Sequence, residues 1–174
     1  MSSSDYFGEL TKAMTLLGEH PKTLFVGQAV KFDGQRAYAS FAGVPEEKRI
    51  EMPVCEDFQM GFCAGLALEG YIPVSFYPRM DFLIIAANQL VNHLDKMPFM
   101  GWKPKVIIRT AVGSNKPLDP GYQHTQNHVY ALRHMLFKIR VVEVLNPKYI
   151  LETYEAVLNG DDSVIVVEHM GLYQ

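Results

Sequence analysis

Apolar positions along the chain fall into two alternating rhythms. Between Tyr6 and Gly18 they recur at Leu10, Met14 and Leu17, a helical spacing. Lys22 to Val26 then form a short apolar run that predicts a buried strand. Met52 to Cys55 form a second such run, and the stretch from Asp57 to Gly70 (Met60, Gly61, Phe62, Ala64, Gly65, Leu66, Leu68) predicts a helix that stops at a glycine. Ile72 to Phe76 predict a strand that Pro78 ends, and Phe82 to Leu94 a helix through Leu83, Ala86, Ala87, Leu90, Val91 and Leu94. The apolar triplet Val106–Ile108 predicts a further strand. Ser114 to Asn127 form a polar loop, and a helix is expected over Val129–Leu136. Val141–Val144 (strand), Tyr149–Leu158 (helix) and Val164–Val167 (strand) complete the pattern. Short apolar strands without strict alternation, separated by helices, predict an α/β fold: a mostly parallel sheet sandwiched by helices. Ligands of such sheets lie beyond the carboxyl ends of the strands.

Composition narrows this picture. With 174 residues, 48% apolar and 20% charged, the expectation is a single domain over 1–174 with a substantial core. A net charge of −3 argues against a nucleic-acid partner. Cys55 and Cys63 are too few for a metal quartet or a disulfide framework. The opening Met1-Ser2-Ser3-Ser4-Asp5 has neither a basic head nor an apolar stretch, and no apolar run reaches the roughly 20 residues that span a bilayer. A chain with no membrane association, in the cytoplasm, is the expectation.

Candidate chemistry lies just after the strands. Glu56 follows the Met52–Cys55 run and opens the small-residue helix, where a carboxylate is favoured by the helix dipole. By itself it reads first as a capping carboxylate and only second as an acid aimed into a site. Gly61 and Gly65, with Ala64 and Ala67, would let that helix pack closely on its own sheet or on a helix of another subunit. His20, His93, His134 and His169 stand in no motif and read as structural. Gly27-Gln28-Ala29-Val30 lacks the glycine fingerprint that a Rossmann-type nucleotide binder would place after its first strand.

The segment Met-Pro-Val-Cys-Glu-Asp-Phe-Gln-Met-Gly-Phe-Cys-Ala-Gly-Leu-Ala, residues 52–67, resembles the catalytic-glutamate helix of the transketolase-like pyrimidine-binding domain. That family includes transketolases and the beta subunits of 2-oxo acid dehydrogenase first components. The pattern is a Glu followed nine residues on by a Gly among small residues, here Glu56 and Gly65. In order along the chain, Phe25–Val30, Gly70–Val74, Asp81-Phe82 with Ala87–Asn92, Gln123-His124-Thr125-Gln126 and Val164–Glu168 are similar to further beta-subunit motifs.

The resemblance implies thiamine diphosphate as cofactor. Glu56 would hydrogen-bond the aminopyrimidine ring nitrogen and move a proton there, Phe82 would stack on the ring, and Gln28 would lie at the cofactor. Tyr77 is a second aromatic that could share the role of Phe82. His124 would reach the substrate as orienting group or acid/base, and His128 could face the same way.

The sequence departs from the family at three points. No Gly-Asp-Gly…Asn signature for magnesium and diphosphate occurs, so Mg2+ is expected on a partner chain. The sequence ends after the closing strand, where family beta subunits continue into a C-terminal domain. Gln28-Ala29 stands where those subunits carry acids. The resemblance therefore implies the pyrimidine-binding subunit of a split enzyme. It would pair with a diphosphate-binding (alpha-type) subunit, as two of each chain, and act on a 2-oxo acid or a ketose. The alternative is a non-catalytic scaffold or regulatory subunit that keeps the fold.

Overall fold

The computed structural model describes residues 5–33, 36–116 and 119–173. Met1–Ser4, on which the reading of the opening segment rests, lie outside them. Six strands form one sheet: β1 (Thr23–Gly27), β2 (Arg49–Glu51), β3 (Ile72–Tyr77), β4 (Ile107–Val112), β5 (Arg140–Glu143) and β6 (Val164–His169). Their spatial order is β2-β1-β3-β4-β6-β5 and every pairing is parallel. The expected α/β architecture is therefore what the chain adopts.

Both faces of the sheet are buried, which is why the strands read as continuous apolar runs. Neighbouring residues point to opposite faces and each finds a core. Val26, Tyr77, Ile108, Ile165 and Val167 face a core shared with α2 (Glu56–Leu68) and α4 (Val129–Met135). Phe25, Val74, Phe76, Ile107, Val164 and Val166 face a second core with α1 (Tyr6–Glu19) and α5 (Ile150–Asn159). A fully buried side chain of this size stabilises by about 1.5–3 kcal/mol relative to exposure. Asp5 caps α1, its carboxylate accepting from the N–H groups of Phe7 and Gly8 at 3.2 Å each.

A polar knot sits in the second core. Arg109 on β4 and Glu168 on β6 are fully buried and form a forked pair at 2.7 and 3.0 Å. Tyr154 donates to the same carboxylate at 2.7 Å, as does Tyr173, and Arg109 donates to Ser40 Oγ at 2.9 Å. The guanidinium lies over the rings of Phe41 and Phe76, 4.9 and 5.0 Å from their centroids. Burial alone would lower the pKa of Arg109; the Glu168 charge outweighs it, and the net shift is upward.

Two expected elements differ. The second strand is Arg49–Glu51, not the apolar run Met52–Cys55; the Met52 N–H still donates to the Gly27 carbonyl at 2.9 Å, and the run then leaves the sheet edge for α2. Pro53 has no N–H to give a ladder, and Val54 is exposed. Phe82–Leu94 is not one helix either. A short α3 (Met80–Leu83) passes through a 3-10 turn (Ile84–Ala86) into a π-helical stretch, Gln89–Leu94. The apolar spacing located the buried side (Leu83, Ala86, Leu90, Leu94), but periodicity does not report the hydrogen-bond ring size. The stretch ends at buried Asp95, whose carboxylate accepts from the N–H groups of Phe137, Lys138 and Ile139 at 2.8–3.1 Å and so fixes the entry to β5. No helix among the described residues is long and apolar enough to cross a membrane.

Candidate active site at the carboxyl edge of the sheet

Four sequence-predicted residues follow four adjacent strands. Glu56 comes after β2, Gln28 after β1, Phe82 after β3 and His124 in the loop after β4. The strand order β2-β1-β3-β4 places them side by side along one edge of the sheet. That edge is where a parallel sheet presents its loops and helix N-termini to ligands.

Glu56 is the first residue of α2 and is 4% exposed. Its Oε1 accepts a hydrogen bond from Gln28 Nε2 at 3.2 Å, and its backbone carbonyl accepts from the Tyr77 hydroxyl at 3.3 Å. Burial pushes the Tyr77 phenol well above its usual pKa, with Ser75 pulling partly the other way, so it stays a donor. Tyr77 thus supports the start of α2 from behind and is not an exposed stacking face. Cys63, further along the helix, is buried, and its thiol is pushed up to about 12, which keeps it protonated and inert.

Two glycines let the edge close up. A Cβ at Gly27 would lie 2.4 Å from the carbonyl oxygen of Phe76, so the end of β1 can approach β3 only without a side chain. A Cβ at Gly113 would lie 1.7 Å from the carbonyl oxygen of His124. The loop carrying His124 therefore packs straight onto the end of β4. There the His124 ring meets Phe82 edge-on, with centroids 5.5 Å apart and planes at 89°. Asp81 ties the same loop to α3 by accepting from the Gln126 N–H at 3.3 Å. His128 precedes α4, and its N–H donates to Met80 Sδ at 3.0 Å, which makes its backbone part of the packing.

Buried polar atoms without a hydrogen-bond partner gather here as well. Among the described residues they are Gln59 Oε1, Arg79 Nε, Asp81 Oδ2, Thr110 Oγ1 and His124 Nδ1. Four of the five lie on β4 or in the segments that follow β3 and β4. Such atoms are rare in folded proteins and mark places where another group is met. His124 Nδ1 is the informative one, an imidazole nitrogen at the carboxyl edge of the sheet with free hydrogen-bonding capacity.

Sequence reasoning missed Glu51. It ends β2, and its carboxylate accepts from three consecutive N–H groups of the turn after β1: Ala29 (2.6 Å), Val30 (3.0 Å) and Lys31 (2.8 Å). Ala29 has φ +53°, the left-handed region, at a cost of about 1–2 kcal/mol for a residue with a side chain. The sequence did hold a signal. Gln28-Ala29-Val30-Lys31 contains no Gly, Asn, Asp, Ser or Thr to satisfy its own amides, so an outside acceptor was needed.

On the outer side of α2, Gly61 faces the Gln89 side chain, and Gly65 is exposed, where a Cβ would meet no atom within 4 Å. Phe58 and Leu68 are exposed on the same helix. Close packing on the chain's own sheet is therefore the work of Met60, Cys63, Ala64 and Ala67.

Known proteins bear on this arrangement. The beta-3 chloroplastic subunit of the pyruvate dehydrogenase E1 component from Arabidopsis thaliana is 27% identical over 127 residues, 71% of this chain and 30% of that protein. The 2-oxoisovalerate dehydrogenase beta subunit of Bacillus subtilis (strain 168) is 24% identical across 100% of this chain and 54% of its own length. Among solved structures, an inactive beta4 tetramer of a split-gene transketolase superposes with a TM-score of 0.72 at 22% identity, covering 94% of this chain and 51% of that one. The chain has the fold of that transketolase chain and is related in sequence to these beta subunits. No family model matches the sequence. The chain spans between 30% and 54% of these relatives' lengths, so their whole activities do not transfer with the fold.

Proposed function

We propose that the chain is the pyrimidine-binding subunit of a split thiamine-diphosphate-dependent enzyme, acting on a bond next to a carbonyl in a 2-oxo acid or a ketose. The observation that carries this reading is the buried Glu56 carboxylate at the start of α2, held by one amide donor and placed on the ligand edge. The residues present suit the pyrimidine half of the cofactor. Glu56 would hold the ring nitrogen and move a proton at its carboxylate, Gln28 would keep that carboxylate turned, and Phe82 would supply an aromatic wall. His124, with Nδ1 unpartnered, would donate to or accept from the substrate's oxygen atoms. When bound, thiamine diphosphate supplies the carbon nucleophile that the side chains present here lack. Mg2+ and the diphosphate would be held by an alpha-type chain, in an assembly of two of each.

A second reading is a scaffold subunit that keeps the fold without turnover; its support is that one structural neighbour is an inactive tetramer of beta chains. Reconstitution separates the two. The chain is copurified with a diphosphate-domain partner, given thiamine diphosphate and magnesium, and assayed with 2-oxo acids and ketoses. Activity that falls on the order of 10²-fold or more in Glu56→Ala is expected, the scale of a lost acid/base group. Full activity in a folded Glu56→Ala complex overturns the assignment.

A further inference from the structure

We propose that Glu51 is a positioning residue: it holds the turn after β1 in the one shape that presents the Gln28 amide to Glu56. The inference deepens the proposed function and rests on it only for its catalytic meaning; the geometry stands on its own. Glu51 is paired with Gly27 across the β1–β2 ladder, which sets its carboxylate directly under the turn. Three successive N–H groups converge on that carboxylate, at 2.6, 3.0 and 2.8 Å. Such a concave set of amides is an anion cradle, and here the anion is built into the protein.

The turn needs this anchor because Ala29 sits at φ +53°, where its own Cβ disfavours the conformation. On the other side, Gly27 runs so close to the carbonyl of Phe76 that a Cβ there would lie 2.4 Å from its oxygen. Gln28 is therefore clamped between a fixed glycine and a pinned turn, and its Nε2 lies 3.2 Å from Glu56 Oε1. Without the Glu51 carboxylate, Ala29 is free to return to negative φ. That rotation redirects the Gln28 side chain, and the Glu56 carboxylate loses its donor. A residue that forms no contact with the cofactor site would then control how its acid is turned.

The test uses the full chain alone, isotopically labelled, so that it does not depend on partner, cofactor or turnover. Two NMR signals are read at one fixed pH: the side-chain amide of Gln28 and the carboxyl carbon of Glu56. Gln28→Ala defines the position of the Glu56 signal without its donor. In Glu51→Gln the Glu56 carboxyl signal is expected to move at least half-way to that position, and the Gln28 amide signal to leave its wild-type place. Adding Ala29→Gly to Glu51→Gln should return both towards wild type, because glycine takes the left-handed turn without strain. A merely structural Glu51 predicts changed stability with both signals in place. A folded Glu51→Gln chain with unmoved signals therefore overturns the proposal. If Glu51→Gln does not fold, Glu51→Asp is read by the same criterion, since its shorter side chain cannot reach all three amides.

Discussion

Glu56 and Glu168 are both buried glutamates in a parallel-sheet protein, and their surroundings are opposite. Glu168 is saturated: it accepts two bonds from Arg109 and one each from Tyr154 and Tyr173, and no lone pair is spare for anything outside. Among the described residues, the Glu56 carboxylate accepts one bond, from a neutral amide at 3.2 Å, at the edge of the sheet and at a helix N-terminus. A saturated buried carboxylate holds a structure together. An under-saturated one at the carboxyl edge of the sheet keeps acceptor capacity in reserve, and the role proposed for Glu56 rests on this difference more than on burial.

The contrast can be broken most forcefully at Arg109. Arg109→Met leaves Glu168 charged, buried and without its cation, and should destabilise the chain by about 3–5 kcal/mol in urea unfolding. An intermediate effect is expected at Asp95, which resembles Glu168 in saturation but uses backbone amides. Asp95→Asn should cost about 1–3 kcal/mol at neutral pH.

Asp95 also carries a pH signature. Burial raises its pKa, but Lys96 and the amides of Lys138, Ile139 and Phe137 outweigh this and the folded value lies below the unfolded one. The stabilisation is thus complete above the unfolded pKa of about 4 and is lost as pH falls through the lower folded value. Unfolding followed against pH should show the wild-type advantage over Asp95→Asn shrinking below about pH 4. The smallest effect on stability belongs to Glu56→Gln, which keeps shape and one acceptor. It should change unfolding by less than about 1 kcal/mol, even where it removes turnover in a reconstituted complex. A loss as large as that at Arg109 would place Glu56 with the structural acids and dissolve the comparison.

Much of the fold was legible because burial is what apolar spacing records. The runs at Val106–Ile108 and Val164–Val167 became the buried strands β4 and β6, and Gly70, at φ +87°, follows the end of α2 as its helix-stop signal implied. The edge strand β2 was not legible. Its residues Arg49 and Glu51 direct their side chains to backbone groups, Arg49 to the carbonyls of Phe41 and Val44 and Glu51 to the turn after β1. Short polar edge strands carry little apolar signal, whereas the adjacent Met52–Cys55 run carries it outside the strand. At the site, Glu56, Gln28, Phe82 and His124 came from the resemblance, and their adjacency came only from the strand order. Glu51 left no trace in periodicity, since its role depends on a turn that lacks its own acceptors.

The all-parallel sheet has a consequence for how the chain reaches this state. No two paired strands are joined by a hairpin, so every ladder closes a long excursion of chain before any of its hydrogen bonds form. Local contacts give little early reward, and slow folding follows for a molecule of this size. During that interval β3, β4 and β6, the most apolar segments, are open to pairing with strands of other molecules. Recovery of soluble chain during synthesis should accordingly be governed by temperature and concentration more than by final stability.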